Sequence, residues 1–241
     1  MTVKIVLDAG HGLHTAGKQT PDGEKEWTFN NAVLLAAQSK LKEYPQLELL
    51  RVDDPTGKVD VPLKVRTDKA NAQKAHLYVS LHHNANTGFW GDWGGVETYV
   101  FDGNPKNSKA EQLAHCIQPR LVRAMGLRDR GVRRKNLHVL RETAMPAVLI
   151  EGGFMDSRTD ISSLRDPKKI KAQGEAIADA IVEYVQLQSI QTEILTKTPP
   201  SNAKQRFRLV TGTFPSKQHA ELAANLLRVQ NGWTVYVKEE N

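Results

Sequence analysis

The fold class follows from one segment near the start of the chain, Val3-Lys4-Ile5-Val6-Leu7-Asp8-Ala9-Gly10-His11-Gly12. Its first part, Val3–Leu7, predicts a buried β-strand, because aliphatic residues on both faces of a strand are typical of a sheet covered by helices. The strand leads into an acidic residue and then a histidine between two glycines, where the backbone is free to approach a ligand closely. Taken alone, a histidine here is as consistent with a loop hydrogen bond as with a metal ligand.

Further strands and helices alternate over residues 1–187, which predicts an α/β fold with a mostly parallel or mixed twisted sheet and helices on both faces. Functional sites in such folds lie at the carboxyl ends of strands. The loops after Leu7, Leu81 and Ile150 are therefore the places to look for chemistry. Hydrophobic periodicity predicts strands over Leu47–Val52, His76–Leu81, Val96–Phe101, Leu137–Leu140 and Ala147–Ile150, and helices over Thr28–Leu41, Leu63–Gln73, Ala110–Met125 and Pro167–Leu187.

Composition excludes several kinds of site. Cys116 is the single cysteine among 241 residues, which excludes a disulfide within the chain and nearly excludes a cysteine-based zinc site. Any metal must therefore be held by histidine and carboxylate groups. The formal charge of +6 favours an anionic partner, which nucleic acid, acidic lipid and anionic wall polymers all satisfy.

The amino-terminal apolar stretch is too short for the core of a signal peptide. No apolar run approaches the roughly 20 residues that a membrane-spanning helix needs. We therefore expect synthesis in the cytoplasm and a separate route of release to any site of action outside the cell.

Four polar clusters offer the groups for metal-assisted hydrolysis. They are centred on His11, on Glu24 and Glu26 before a helix, on His82 at a strand end, and on Glu151 at the end of an apolar strand. The two glutamates before the helix are equally explained by a favourable charge at a helix N-terminus. A glutamate that ends an apolar strand is partly desolvated, which raises its pKa toward the range of a general base. Two imidazoles, one carboxylate ligand and an open fourth position make the pattern of catalytic zinc.

The same clusters lie in motifs that resemble the zinc-dependent, type-3 family of N-acetylmuramoyl-L-alanine amidases. The resemblance implies hydrolysis of the peptidoglycan amide bond between the lactyl group of N-acetylmuramic acid and L-alanine. It covers about residues 1–187, and its motifs are Ile5–Gly12, Arg66–Asn71 with Val79–Ala85, Gly95–Tyr99 and Pro146–Phe154.

The resemblance also implies roles for single residues. His11 and His82 match the two metal histidines of the family, and Glu151 matches its catalytic glutamate. The family's glutamate ligand lies close before a helix, with a polar residue one turn later. Glu26, with Asn30 four positions on, fits that description better than Glu24.

Three further residues are candidates for a substrate groove, namely Asn84, Trp90 and Trp93. The two tryptophans are as consistent with core packing as with a groove. Arg66 either pairs with an acidic neighbour or orients the loop after Leu81, and we favour a structural role for it.

The C-terminal part predicts a linker over residues 188–205 and a small β-α-β unit over residues 206–241. The unit resembles one half of a SPOR-type peptidoglycan-binding domain through Phe207–Phe214, Ala220-Glu221 and Gly232–Val235. So short a unit does not easily build its own core. We expect it to pair with a second chain as a homodimer or to dock on the catalytic domain; a degenerate tail that binds little is the alternative.

The sequence thus predicts a Zn²⁺-dependent peptidoglycan hydrolase, either a phage or prophage endolysin or an autolysin. The alternative is an inactive amidase fold that only binds the cell wall, against which the intact ligand set and Glu151 argue. We expect no nucleic-acid partner, since charge alone suggests one and no nucleic-acid-binding module is recognised.

Overall fold

The computed structural model describes residues 2–196, with the side chains of residues 2–186, together with Ala220, Glu221, Ala224 and Val237. The chain divides into two compact units, Met1–Lys197 and Thr198–Asn241. Apart from the four single residues, the predicted unit 206–241 lies outside the described residues.

The first unit alternates strands and helices. The strands are β1 Val3–Ala9, β2 Leu47–Arg51, β3 Leu77–Asn84, β4 Val96–Val100, β5 Asp129–Arg134 and β6 Ala147–Phe154. The helices are α1 Glu26–Leu41, α2 Leu63–Ala72, α3 Lys109–Met125, α4 His138–Arg141, α5 Ile161–Leu164 and α6 Pro167–Thr196. Within the described residues, no helix combines the length and apolar character required to cross a membrane.

The six strands form one sheet in the order β2-β1-β3-β6-β4-β5. All neighbouring strands are parallel except β4 and β6, which are antiparallel. The carboxyl ends of β1, β3 and β6 therefore lie side by side, and the amino end of β4 joins them at the same edge. This arrangement confirms the predicted α/β class and places the loops after these strands in one region.

Strand residues alternate between two hydrophobic cores, one on each face of the sheet. Ile5 and Leu7 belong to the larger core, which includes residues of α1, α3 and α6. Val6 and Tyr78 belong to the smaller core, which includes residues of α2 and α4. Helices thus cover both faces, as predicted.

The structure differs from the sequence predictions at three places. Residues Leu137–Leu140 were expected to form a strand, but they enter α4, because a short apolar run does not distinguish a strand from a buried helical turn. Strand β5 was not predicted, since an edge strand rich in arginine lacks an apolar pattern. Helix α6 continues past Leu187 to Thr196, because glycine and proline, the strong helix breakers, are absent from residues 188–196.

Helices α1 and α6 approach each other closely at Gly174. A Cβ atom on this glycine would lie 2.5 Å from the carbonyl oxygen of Val33 and 2.6 Å from the Cβ of Ala36. A side chain at this point therefore forces the two helices apart, and the packing of the larger core depends on their contact.

We predict that Gly174→Ala lowers the stability of the first unit. Alanine is the better helix former, so helix propensity alone predicts a gain of about 1 kcal/mol. The backbone contact instead predicts a loss of about 1–3 kcal/mol, visible as a lower midpoint of thermal unfolding. Lys168→Ala, at an exposed position of the same helix, is the control and leaves the midpoint nearly unchanged. A midpoint raised by Gly174→Ala would contradict the close helix contact.

Candidate metal centre

A buried ion pair lies at the carboxyl end of β1. Asp8 is 1% exposed, and its carboxylate accepts hydrogen bonds from Arg66 Nη1 at 2.6 Å, from the Tyr78 hydroxyl at 2.9 Å and from Ser80 Oγ at 2.9 Å. Arg66 is also 1% exposed. A buried carboxylate is tolerated only when it is paired and hydrogen-bonded, and Asp8 meets both conditions.

The other donors of Arg66 hold the loop after β1. Its Nη1 donates to the carbonyl of Ala9 at 2.8 Å, and its Nη2 donates to the carbonyl of His11 at 3.0 Å and to Asp60 Oδ1 at 3.0 Å. Arg66 thus pairs with an acidic residue, as one of the two expectations stated. The loop that it holds follows β1, whereas the other expectation named the loop after Leu81 in β3.

His11 has a backbone φ of 66°, in the left-handed region that few non-glycine residues adopt. The hydrogen bond from Arg66 to its carbonyl stabilises this conformation. The His11 ring lies 4.9 Å from the His82 ring, nearly perpendicular to it. The His82 ring can occupy this position only because residue 10 is a glycine, since a Cβ atom there would lie 2.0 Å from Cε1 of His82.

Glu26, the first residue of α1, lies between the two histidines. Its Oε1 is 3.0 Å from His82 Nδ1, and its Oε2 is 3.3 Å from His11 Nε2. One ligand atom from each of the three residues lies within 4.8 Å of the other two. Asn30, one turn later in α1, donates from Nδ2 to Glu26 Oε1 at 3.3 Å and to the carbonyl of Gly10 at 3.0 Å.

The choice between the two neighbouring glutamates has a geometric answer. The Glu24 side chain is 44% exposed and pairs with Arg165, whereas the Glu26 side chain is 3% exposed. The structure therefore brings Glu26, not Glu24, to His11 and His82.

The pKa shifts of His11 and Glu26 favour the neutral imidazole and the ionised carboxylate, which are the forms that bind a cation. Burial lowers the pKa of His11 to about 4, which keeps this imidazole neutral and able to act as a ligand. Burial opposes ionisation of Glu26, but its hydrogen bond to His82 and the charges of His82 and His11 bring its pKa down to about 2. Burial also opposes protonation of His82, but the contact with Glu26 outweighs it and raises the pKa of His82. The contact of His82 with Glu26 thus favours a charged imidazole beside a charged carboxylate.

A tetrahedral zinc site with bonds of about 2.0–2.2 Å separates neighbouring ligand atoms by about 3.3–3.6 Å. Glu26 Oε1 lies 3.0 Å from His82 Nδ1, and Glu26 Oε2 lies 3.3 Å from His11 Nε2, so the two contacts use different carboxylate oxygens. Imidazole nitrogen and carboxylate oxygen are both zinc ligands in proteins, so His11, Glu26 and His82 are the residues that could hold such a metal.

Glu151 lies beside the cluster, because it pairs with His82 in the register of β6 and β3. In the described part of the chain, its Oε2 is buried and has no hydrogen-bond partner. Burial raises the pKa of Glu151 to about 8; the charges of Glu26 and Glu97 add to this effect, and His82 opposes it. A carboxylate with a raised pKa and a free oxygen is suited to accept and return a proton.

A cavity of about 260 Å³ opens next to the two histidines. Val61, Pro62 and Leu63, at the start of α2, form its apolar wall. No sequence pattern pointed to these three residues, because they reach the site only through the packing of α2 against the sheet.

The predicted groove residues do not line this cavity. Asn84 donates from Nδ2 to Glu97 at 2.9 Å, and Trp93 donates from Nε1 to Asp156 at 2.8 Å. The guanidinium of Arg165 lies over the ring of Trp90, 5.8 Å from its centre. Their part in substrate binding stays a prediction.

Glu97 is a site residue to which sequence reasoning gave no role. It is buried, lies opposite Glu151 in the antiparallel pair of β4 and β6, and accepts hydrogen bonds from Asn84 and Tyr99. It also pairs with Arg130 on β5. The one available signal was the position of Glu97 within the motif Gly95–Tyr99.

Comparisons with known proteins identify the family of the chain. The family model described as N-acetylmuramoyl-L-alanine amidase (Amidase_3) matches residues 5–183. The chain is 30% identical over 225 residues to the N-acetylmuramoyl-L-alanine amidase CwlM of Bacillus licheniformis, covering 92% of this chain and 79% of that protein. It is 30% identical over 190 residues to an endolysin of Bacillus phage SPP1, covering 78% of this chain and 68% of that protein.

Solved structures give the same result. The catalytic domain of the N-acetylmuramoyl-L-alanine amidase CwlV from Bacillus (Paenibacillus) polymyxa var. colistinus superposes with a TM-score of 0.69 at 33% identity, covering 77% of this chain and 99% of that domain. An N-acetylmuramoyl-L-alanine amidase from Clostridium difficile 630 gives a TM-score of 0.70 at 26% identity, covering 77% and 97%. The chain belongs to the N-acetylmuramoyl-L-alanine amidase family and is a peptidoglycan hydrolase.

We predict that Asp8→Asn destabilises the first unit by about 3–5 kcal/mol, because it leaves the guanidinium of Arg66 without its buried counter-charge and with only the exposed carboxylate of Asp60. Unfolding in urea measures the effect. Asp68→Asn removes the carboxylate of an exposed pair with Lys64 and serves as the matched control, with an unfolding midpoint close to that of the unchanged protein. Equal effects of the two substitutions would contradict the structural importance of the buried pair.

Proposed function

We propose that this chain hydrolyses the amide bond between the lactyl group of N-acetylmuramic acid and L-alanine, using Zn²⁺ held by His11, Glu26 and His82. The observation that carries the proposal is the cluster of three ligand atoms within 4.8 Å of one another, next to the unpaired carboxylate oxygen of Glu151. Membership of the amidase family supports the choice of bond.

Zinc at such a site supplies Lewis acidity, which lowers the pKa of water and polarises a carbonyl group. Glu151 accepts the proton of the attacking water and returns it to the leaving amine as the amide C–N bond breaks. The raised pKa of Glu151 makes its carboxylate a stronger base toward the attacking water than an ordinary glutamate. Arg66 and Asn30 keep the ligands in place through the backbone of the His11 loop and through Glu26.

A digest of peptidoglycan analysed by mass spectrometry tests the function. We expect new free amino termini of L-alanine and intact glycan strands. New reducing ends on the glycan would overturn the proposal, and so would intact peptidoglycan, the outcome expected for a module that only binds the wall.

Glu151→Gln is predicted to lower the rate of this digestion by about 10²- to 10⁴-fold while the metal stays bound, because glutamine cannot transfer the proton. Glu142→Gln changes an exposed glutamate in the same way and is the matched control. Metal content and digestion rate are measured on the same samples. A Glu151→Gln protein that digests peptidoglycan at the normal rate would remove Glu151 from the mechanism.

The ligand set predicts the metal content of four variants. His11→Ala, His82→Ala and Glu26→Gln each remove a ligand and are expected to purify with little zinc, as measured by plasma emission spectrometry. Glu24→Gln changes the neighbouring glutamate, which pairs with Arg165, and is expected to keep one zinc per chain. Zinc lost from the Glu24 variant and kept by the Glu26 variant would reverse the assignment.

We also propose that the C-terminal part binds the cell wall and that the protein is released to the wall from the cytoplasm. The alignments with two amidase relatives cover 92% of the chain, whereas the family model matches only residues 5–183. Part of the C-terminal segment is therefore shared with these relatives. The presence of this segment in relatives that are amidases supports a wall-binding unit at residues 206–241, and the pairing of this unit with a second copy is a further part of the proposal. Similarity to a phage endolysin supports synthesis in the cytoplasm and release to the wall on lysis.

A further inference from the structure

Two arginines of the edge strand β5 share one buried carboxylate. Arg130 Nε lies 2.8 Å and Arg133 Nε lies 3.0 Å from Glu97 Oε2, while the other oxygen of Glu97 accepts hydrogen bonds from Asn84 and Tyr99. Four donors therefore hold Glu97 in place. We call Arg130 and Arg133 the arginine pair.

The arginine pair lies on the same side of the sheet as the site. Glu97 is directly opposite Glu151 in the antiparallel ladder, and Tyr99 is opposite Arg133 in the parallel one. Directly paired residues point to the same face of a sheet. Two strand spacings of about 4.8 Å separate β6 from β5, so the arginine pair lies about 10 Å from Glu151 across the sheet.

The arginine pair carries a positive charge that Glu97 does not balance, since two guanidinium groups face one carboxylate. The Arg133 side chain is 47% exposed. Within the part of the chain that the structure describes, Arg133 donates only through Nε, to Glu97 and to the carbonyl of Arg130. Its two Nη groups remain available, and a guanidinium presents such groups as a fork that matches a carboxylate.

We propose that the arginine pair binds a carboxylate of the substrate peptide, two or three residues beyond the scissile amide. An extended peptide advances about 3.3–3.6 Å per residue, so three residues span the distance of about 10 Å from Glu151 to β5. This inference rests on the proposed function and adds to it a preference for an acidic peptide.

The test compares two synthetic substrates, a muramyl tripeptide with free carboxylates on its second and third residues and the same compound with both carboxylates amidated. The unchanged protein is expected to show a kcat/KM about 10- to 100-fold higher for the acidic compound, the range of charge-assisted hydrogen bonds. Arg133→Gln is expected to slow cleavage of the acidic compound alone and to bring the ratio near 1.

Arg134→Gln is the matched control. Arg134 neighbours Arg133 on β5 but points to the other face, where it pairs with Glu111 at 3.2 Å. The control removes the same charge from the same strand, and the preference for the acidic compound is expected to persist. A preference lost in both variants would mean that the overall charge of the edge strand is responsible and would overturn the subsite.

Two other results would overturn the inference while leaving the proposed function intact. One is equal cleavage of both compounds by the unchanged protein. The other is an equal loss for both compounds in Arg133→Gln, which would limit this arginine to holding Glu97. If neither compound is cleaved, the proposed function fails, and calorimetric binding of the same compounds decides the subsite separately. The subsite is supported if the unchanged protein binds the acidic compound more tightly than the amidated one and if Arg133→Gln removes this difference. Equal binding of both compounds by the unchanged protein contradicts it.

Discussion

The buried ion pair of Asp8 and Arg66 is the interaction on which the rest of the site depends. Both side chains are removed from water, so each requires the other and a full set of hydrogen bonds. Tyr78 and Ser80 complete the shell of Asp8 from the neighbouring strand β3. The guanidinium then holds the backbone that carries His11 in a left-handed conformation. One buried pair thus connects the centre of the sheet to His11, the first proposed metal ligand.

The alternation of strand residues places the remaining groups. In β3, Leu81 packs in the larger core, and its neighbour His82 therefore faces the other side, opposite Glu151 on β6. The reversed direction of β4 brings Glu97 to the same edge. His82 and Glu151 lie on strands, Glu26 lies in the first turn of a helix, and His11 lies in a loop that Arg66 holds, so little reorganisation of these side chains is required when substrate binds.

Local pattern was sufficient to predict the parts of the site that follow apolar strands. Continuous apolar runs predicted β1, β3 and β6, and hence the positions of His11, His82 and Glu151. The choice of Glu26 over Glu24 required the family resemblance, in which a polar residue follows the glutamate by one turn, as Asn30 does here. Strand β5 could not be predicted, since Asp129–Arg134 is an edge strand with a glycine and a majority of charged residues. The pairing of Arg66 with Asp8 could not be predicted either, because the two residues lie 58 positions apart in the sequence and meet only through tertiary packing.

The central claim is that a metal ion binds between the end of β1, the start of α1 and the end of β3. Anomalous diffraction at the zinc absorption edge, from crystals grown with stoichiometric zinc, tests it most directly. The account predicts a single strong peak about 2 Å from His11 Nε2, a carboxylate oxygen of Glu26 and His82 Nδ1. A strong peak elsewhere on the first unit, with none among these three side chains, would contradict it.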